Sequence, residues 1–180
     1  MGMIDKIGKI GGFGKLRAAH DLSIWLTMGR VFTGLVWLNS GLTKLTTPSF
    51  SIANPVGYFA SKNPYPWYAD FLRNTVLANP DLFTRLVIAG EILVGLSLIL
   101  GLFTNVGAFF GFFLSLNFFL AAGWTSPSTY SLNLNMLLVQ LMFIAAYGTK
   151  YLSADQWIAR KVRRLHWLLM SRPKGYTPER

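Results

Sequence analysis

Four apolar segments of about bilayer length constrain this chain more than any other feature. They cover about residues 22–42, 82–102, 105–123 and 130–148. Each is close to the roughly 20 residues that a helix needs to cross a hydrocarbon core of about 30 Å. Only 13% of the 180 residues are charged, against roughly 25% in an average soluble domain. We therefore predict an all-α membrane protein, a four-transmembrane-helix bundle.

Basic residues concentrate at the two ends of the chain. Four Lys and Arg residues precede the first apolar segment and eight follow the last one. The positive-inside rule then predicts that both termini are cytoplasmic. This divides the chain into a basic tail (1–21), a transmembrane domain (22–148, with an outer loop of about 43–81) and a basic amphipathic segment (149–180). Basic flanks favour anionic lipid headgroups, so we predict a lipid partner and no nucleic acid.

Two stretches outside the predicted spans have the pattern of short interfacial helices. In the outer loop, "YADFLRNTVL" is amphipathic and predicts a helix at the outer membrane interface. The loop is either a connector across the end of the bundle, which we favour, or a lid over an outward-facing pocket. Near the C-terminus, "SADQWIARKVRRLHWLLMSR" carries an apolar stripe beside basic residues. It predicts a membrane-surface helix or a docking face for a soluble partner.

Two ionisable residues, Arg30 and Glu91, lie well inside predicted spans. Such a residue is costly in lipid and marks a functional site by default. At 1.5 Å per residue, Arg30 lies about 12 Å from the cytoplasmic end of the first span and Glu91 about 13–14 Å from the outer end of the second. Their depths differ little in a core of about 30 Å, so we predict that they pair. The alternatives are that Arg30 reaches the headgroups, or that the pair only sets helix register.

Other small and polar residues share the predicted inner faces. On the first span a stripe recurs at helical spacing through Arg30, Gly34, Trp37, Gly41 and Lys44. Glycines on such a stripe let a second helix approach closely, and amides in lipid turn inward to find partners. We predict a polar core in which Glu91 and Arg30 are catalytic. The predicted binding residues are Arg30, Lys44, Glu91, Asn117, Asn133 and Gln140.

The missing residue types narrow the chemistry. The chain has no cysteine, which excludes a disulfide and a thiolate-held iron–sulfur cluster in this chain. His20 and His166 lie outside the spans, so we expect no haem, and no His/Asp/Glu cluster predicts a metal site. One buried carboxylate with an arginine suits proton-coupled binding of a quinone or a small anion better than it suits hydrolysis. Any electrons would belong to a bound organic cofactor or a partner.

Three ordered motifs resemble the DoxX/DoxD-like membrane proteins. They are "GRVFTGLVWLNSGLTKL", "GEILVGLSLILGLFTNVGAFFGFFLSLNFFLAAGW" and "AAYGTKYLSADQWI", and the similarity covers about residues 25–160. The resemblance implies a four-helix bundle in a prokaryotic cytoplasmic membrane. In the DoxD branch it implies a subunit of thiosulfate:quinone oxidoreductase. The positions that match the family pattern are Arg30, Gly34, Ser40, Gly41, Lys44, Glu91 and Asn117.

Two functional hypotheses follow from the residues and the resemblance. The first is an integral subunit of a quinone-linked, respiratory-type oxidoreductase complex, with other membrane or cytoplasmic subunits as partners. The alternative is a non-catalytic subunit that stabilises a larger respiratory or photosynthetic complex. An open pocket with lipid access beside the buried ion pair would favour the first hypothesis, and a closed, dry pair would favour the second.

Overall fold

The structure, a computed structural model, describes the backbone of residues 3–145 and 153–155 and the side chains of residues 24–145 and 153–155. Within these ranges the regular structure is entirely helical, which confirms the predicted all-α fold. The helices are, in chain order, α1 (Met3–Thr46), α2 (Ala53–Lys62), α3 (Pro66–Phe71), α4 (Pro80–Leu100), α5 (Thr104–Ala122) and α6 (Pro127–Ala145).

Three helices in the described part of the chain are long and apolar enough to cross a membrane: α4, α6, and α5 together with the 3₁₀ turn that follows it. They correspond to the second, fourth and third predicted spans. Much of their apolar surface is exposed, as expected where lipid covers a bundle. Helix α1 falls outside this group, and it carries Arg30 and Lys44 in its apolar stretch. The chain is a multi-pass membrane protein.

Short turns place successive long helices side by side. Helix α1 packs against α4, α4 against α5, and α5 against α6. Between α4 and α5, Gly101 adopts a left-handed conformation with φ of 64°, which ends the helix at little cost because glycine has no Cβ. Pro80 and Pro127 occupy the first positions of α4 and α6, where their missing N–H is not needed.

A close seam between α1 and α4 fixes the register of these two helices. A Cβ added at Gly41 would lie 3.0 Å from the backbone N of Ile92, and one added at Gly34 would lie 2.9 Å from that of Ile99. The predicted role of these glycines, to allow close helix approach, is confirmed. The seam sets Gly41 beside Ile92 and Gly34 beside Ile99, and this pairing decides which polar residues can meet.

A substitution at Gly95 of α4 tests whether close packing at this seam stabilises the protein. A Cβ at this position would lie 2.6 Å from the backbone N of Leu38, which has no freedom to rotate away. We expect Gly95→Ala to push α1 from α4 and to cost about 1–3 kcal/mol of stability. The measurement is the thermal unfolding midpoint of the purified protein in detergent.

The matched control is Gly29→Ala on α1, the helix that packs against α4. No atom lies within 4 Å of a Cβ added there. Alanine favours a helix interior over glycine by up to about 1 kcal/mol, so we expect an unchanged or higher midpoint. Equal losses at the two positions would contradict the proposed seam.

Residues between α1 and α4 cover one end of the bundle, which we call the loop end. The predicted "YADFLRNTVL" helix is present as α3 and a π-helical turn (Leu72–Val76). The hydroxyl of Tyr68 donates to the backbone O and Oδ1 of Asn117, each at 3.1 Å, and burial raises the pKa of Tyr68 to about 12. An apolar cluster joins this region to α5, formed by Ile52, Ala60, Tyr68, Leu72, Val76 and Ala121.

Two predictions concern the chain termini. Helix α1 begins at Met3, so residues 3–21, predicted as a basic tail, are helical and continuous with the first predicted span. The predicted amphipathic helix over residues 153–172 lies outside the described residues, apart from 153–155.

Candidate functional site

A buried ion pair between Lys44 and Glu91 lies at the centre of the candidate site. The Nζ of Lys44, near the C-terminal end of α1, donates to Oε1 and to Oε2 of Glu91 at 2.7 Å each. It also donates to the Oγ of Ser40 at 2.7 Å. An ammonium group has three N–H donors, so these contacts engage all of them.

The surroundings of this pair are largely apolar. The side chain of Glu91 is 1% exposed, while that of Lys44 is 24% exposed. A buried carboxylate without a counter-charge costs several kcal/mol, so Lys44 is the group that makes Glu91 tolerable inside the bundle. The Nζ of Lys44 also lies 6.0 Å from the ring centre of Phe118, at the outer limit for a cation–π contact.

A cavity of about 120 Å³ adjoins Glu91. All four long helices contribute to its wall, α4 only through Glu91 itself. The lining residues are Val36, Trp37, Ser40, Glu91, Ser115, Phe118, Leu132, Asn133 and Met136.

The mouth of the cavity lies between α1 and α6, the two outermost helices in the packing order. Val36 of α1 is 54% exposed and Leu132 of α6 is 61% exposed, and both line the cavity. The cavity therefore reaches the surface of the bundle between apolar side chains. That surface faces lipid if the two helices span the membrane.

Two buried polar atoms belong to residues that line the cavity. The Nε1 of Trp37 and the Oγ of Ser115 have no hydrogen-bond partner among the described residues. The ring of Trp37 packs against Phe118 with centroids 6.1 Å apart, which fixes its orientation. An unpaired buried donor costs about 1–3 kcal/mol, so these atoms are suited to a ligand group or an internal water.

One comparison with known proteins is informative. A family model described as "TQO small subunit DoxD" matches residues 25–172, which is most of the chain. The chain belongs to the DoxD family. This confirms the resemblance to DoxX/DoxD-like membrane proteins that the three motifs indicated. No curated protein and no solved structure matches this DoxD chain significantly.

The predicted pair between Arg30 and Glu91 is wrong for this DoxD chain. Arg30 is fully buried, and its guanidinium occupies the space into which a Cβ of Gly101 would project. Glu91 lies ten residues before Gly101 in the same helix direction, or about 15 Å away along the axis. The α1–α4 seam sets this register, and the prediction failed because it measured the depth of Arg30 from assumed span boundaries.

At the end of the bundle that holds Arg30, which we call the Arg30 end, Asp155 binds the turn between α4 and α5. Its Oδ1 accepts the N–H of Phe103 at 2.7 Å and its Oδ2 that of Thr104 at 3.0 Å. Its own N–H donates to the carbonyl of Gly101 at 3.0 Å. Burial raises the pKa of Asp155, while the two N–H donors and the charge of Arg30 act in the opposite direction. Arg30 therefore serves this junction and is remote from the cavity.

The other predicted site residues are distributed along the bundle. Asn133 and Glu91 both line the cavity. Gln140 is fully buried, and Asn117 binds Tyr68 at the loop end. The single polar core that the sequence indicated is thus divided into separate groups. The catalytic and binding roles of these residues stay predictions.

Sequence reasoning missed Ser115 and Asp155. Ser115 follows Gly107 and Gly111 at intervals of four, a spacing that places it on the same buried face of α5. Asp155 lies in the last motif that resembles the family. Among the side chains that the structure describes, no three His, Asp or Glu lie together as metal ligands would.

Proposed function

We propose that this chain is the membrane subunit of a quinone-reducing complex of the thiosulfate:quinone oxidoreductase type, and that the cavity beside Glu91 takes a quinone ring. We further propose that α1 also crosses the membrane, which gives four spans in all. Both termini then lie on the cytoplasmic side of a prokaryotic cytoplasmic membrane. The family description names such a subunit. The basic ends of the chain support the orientation.

The observation that carries this proposal is the cavity that joins the Lys44–Glu91 pair to an apolar mouth. Its volume of about 120 Å³ is near that of a protein cavity of ~150 Å³ that binds benzene. A single six-membered ring is thus of the right scale, with its substituents directed to the open mouth. Exposed Val36 and Leu132 at the mouth suit an isoprenoid tail that extends into lipid, and they do not suit a hydrated anion.

The polar atoms of the wall fit a ring with two carbonyl oxygens. The Nε1 of Trp37 and the Oγ of Ser115 are donors without partners among the described residues, and carbonyl oxygens are acceptors. Each donor lies on a different helix, α1 and α5. We assign them to the carbonyl groups of the quinone, which they would hold and polarise.

The Lys44–Glu91 pair supplies the acid–base chemistry that quinone reduction requires. Reduction of a quinone consumes two electrons and two protons. Lys44 passes a proton through Glu91, which lines the cavity, to the reduced oxygen, and a proton from outside the pair then returns to Lys44. The chain has no cysteine, so any thiolate-held electron carrier belongs to another subunit.

The non-catalytic alternative has one observation in its favour. All three N–H donors of Lys44 are engaged within the pair and Ser40, as a purely structural clasp would require. The two hypotheses differ in what the cavity does. A scaffold has no need of the lipid-facing mouth, whereas a quinone site depends on it.

A blocked mouth tests the proposal directly. In Leu132→Trp the larger ring fills the space between α6 and Val36. We expect the Kd of a long-tailed quinone to rise about tenfold or more, because a lost fit of this size is worth about 1–3 kcal/mol. The measurement is quinone binding to the purified complex in lipid nanodiscs.

The matched control is Leu138→Trp on the same helix. Leu138 is also exposed but does not line the cavity, so its Kd should stay within about twofold of the wild type. If Leu132→Trp binds quinone as the wild type does, the cavity is not the quinone site. The scaffold hypothesis would then be preferred.

A further inference from the structure

Three buried polar side chains lie at different levels between the cavity and the Arg30 end of the bundle: Ser115, Gln140 and Thr104. On α5, Thr104, Gly111 and Ser115 follow one another at intervals of seven and four, so they share one face. Ser115 lines the cavity with Glu91. At the other end of the series, Thr104 lies at Asp155, whose Oδ2 accepts its N–H.

Gln140 of α6 lies between these two ends. A Cβ added at Gly111 would be 2.6 Å from its Nε2, so the glycine makes room for the amide against the backbone of α5. Gly111 is one helical turn, about 6 Å, from Ser115. This spacing along α5 is on the scale of one water with two hydrogen bonds of about 2.8 Å each.

The amide of Gln140 is fully buried, and neither its Nε2 nor its Oε1 has a hydrogen-bond partner among the described residues. The Oγ of Ser115 also has no partner there, and once its hydrogen is donated to the quinone its lone pairs can still accept a hydrogen bond from water. Leaving such groups unsatisfied is costly, and in proteins they are commonly bound to internal water. A leucine or methionine at position 140 would pack between α5 and α6 without this cost.

We propose that Gln140 and Ser115 hold internal water that carries protons from the Arg30 end to the Lys44–Glu91 pair. The inference rests on the proposed function. For each quinone, two electrons come from the sulfur-compound reductant of the complex. Two protons pass in turn from Lys44 through Glu91 to the reduced oxygens, and the water chain replaces each of them at the pair.

The apolar mouth and the covered loop end leave two routes by which protons can reach the pair, a water chain and the partly exposed Lys44. The mouth is apolar at Val36 and Leu132, and lipid is no source of protons. At the loop end, the contact between Tyr68 and Asn117 lies within a covering layer of apolar side chains. The remaining competitor is direct proton entry at the partly exposed Lys44.

The test uses the purified complex in lipid vesicles with a trapped pH-sensitive dye, after addition of thiosulfate and a long-tailed quinone. Gln140→Met keeps the shape of the side chain and removes both amide groups. We expect proton uptake and turnover to slow about tenfold or more at an unchanged quinone Kd, a smaller loss than the 10²–10⁴-fold of an acid–base group, because the amide only orders the water. The solvent deuterium isotope effect on turnover should increase.

Leu98→Met is the matched control, because Leu98 is equally buried and the substitution tests packing alone. Its proton uptake should stay within about twofold of the wild type. Gly111→Ala is the second variant, in which the new methyl group displaces the Gln140 amide. It should also slow proton uptake, so the proposal can still be tested if Gln140→Met does not assemble.

The outcomes separate this inference from the proposed function. If Glu91→Gln retains wild-type turnover, the proposed quinone site fails, and the conduit fails with it. If Glu91→Gln is inactive while Gln140→Met and Gly111→Ala take up protons at the wild-type rate, only the conduit is overturned. Protons would then enter at Lys44.

Discussion

Quinone reduction by the Glu91→Gln complex is expected to be about 100-fold slower than that of the wild type, or slower still. Glutamine has nearly the same shape as glutamate but does not carry a proton between groups at neutral pH. Loss of a positioned acid–base group typically costs 10²–10⁴-fold in rate. The measurement is thiosulfate-dependent quinone reduction by the purified complex.

Assembly and a second carboxylate serve as controls for Glu91→Gln. The variant should still co-purify with its partner subunits, because an amide accepts a hydrogen bond from Lys44 in place of the carboxylate. Asp81→Asn removes an exposed carboxylate at the start of the same helix and should leave turnover unchanged. Wild-type turnover in Glu91→Gln, with a defect only in assembly, would rule out the catalytic role.

The largest loss of stability is expected for Lys44→Met. This variant leaves the carboxylate of Glu91, which is 1% exposed, without its counter-charge. Removal of one partner from a buried pair costs about 3–5 kcal/mol. The thermal unfolding midpoint of the protein in detergent should therefore fall well below that of the wild type.

A double variant shows whether the lost charge pairing is the cause. In Lys44→Met with Glu91→Gln the buried charge is absent, so we expect the midpoint to recover much of the loss. Equal midpoints for the single and double variants would show that Lys44 acts through packing and not through charge.

Lys44→Arg distinguishes stability from proton transfer at the same position. Arginine keeps the positive charge beside Glu91, so stability should be largely retained. A guanidinium does not release its proton in proteins, so quinone reduction should still be lost. A fully active Lys44→Arg complex would contradict the assignment of Lys44 as the proton donor.

The helices themselves could be predicted because length, apolar runs and turn residues are local properties. The predicted second span ends two residues beyond α4, which closes at Leu100 before the left-handed Gly101. The seam glycines Gly34 and Gly41 were also predictable, since a repeated small residue on one helix face signals close packing. The membership in the DoxD family followed from the same ordered motifs.

The partner of Glu91 could not be predicted in the same way. Both Arg30 and Lys44 lie on the buried stripe of α1, 14 residues apart, and either cation satisfies a rule based on charge alone. Only the register decides between them, and a shift of about four turns along α4 exchanges one for the other. The role of Asp155 could not be predicted for a related reason, because its contacts with Gly101 and Thr104 join residues about 50 positions apart.

The sequence by itself determined that this chain forms apolar helices of membrane length, that few ionisable residues lie well inside them, and that its family is DoxD. These properties depend on composition, periodicity and motif order along one segment at a time. The tertiary structure decided that Lys44 and not Arg30 meets Glu91, and that a cavity opens beside them. The physical reason is that contact of backbone with backbone, at Gly95 against Leu38, sets the register of α1 on α4.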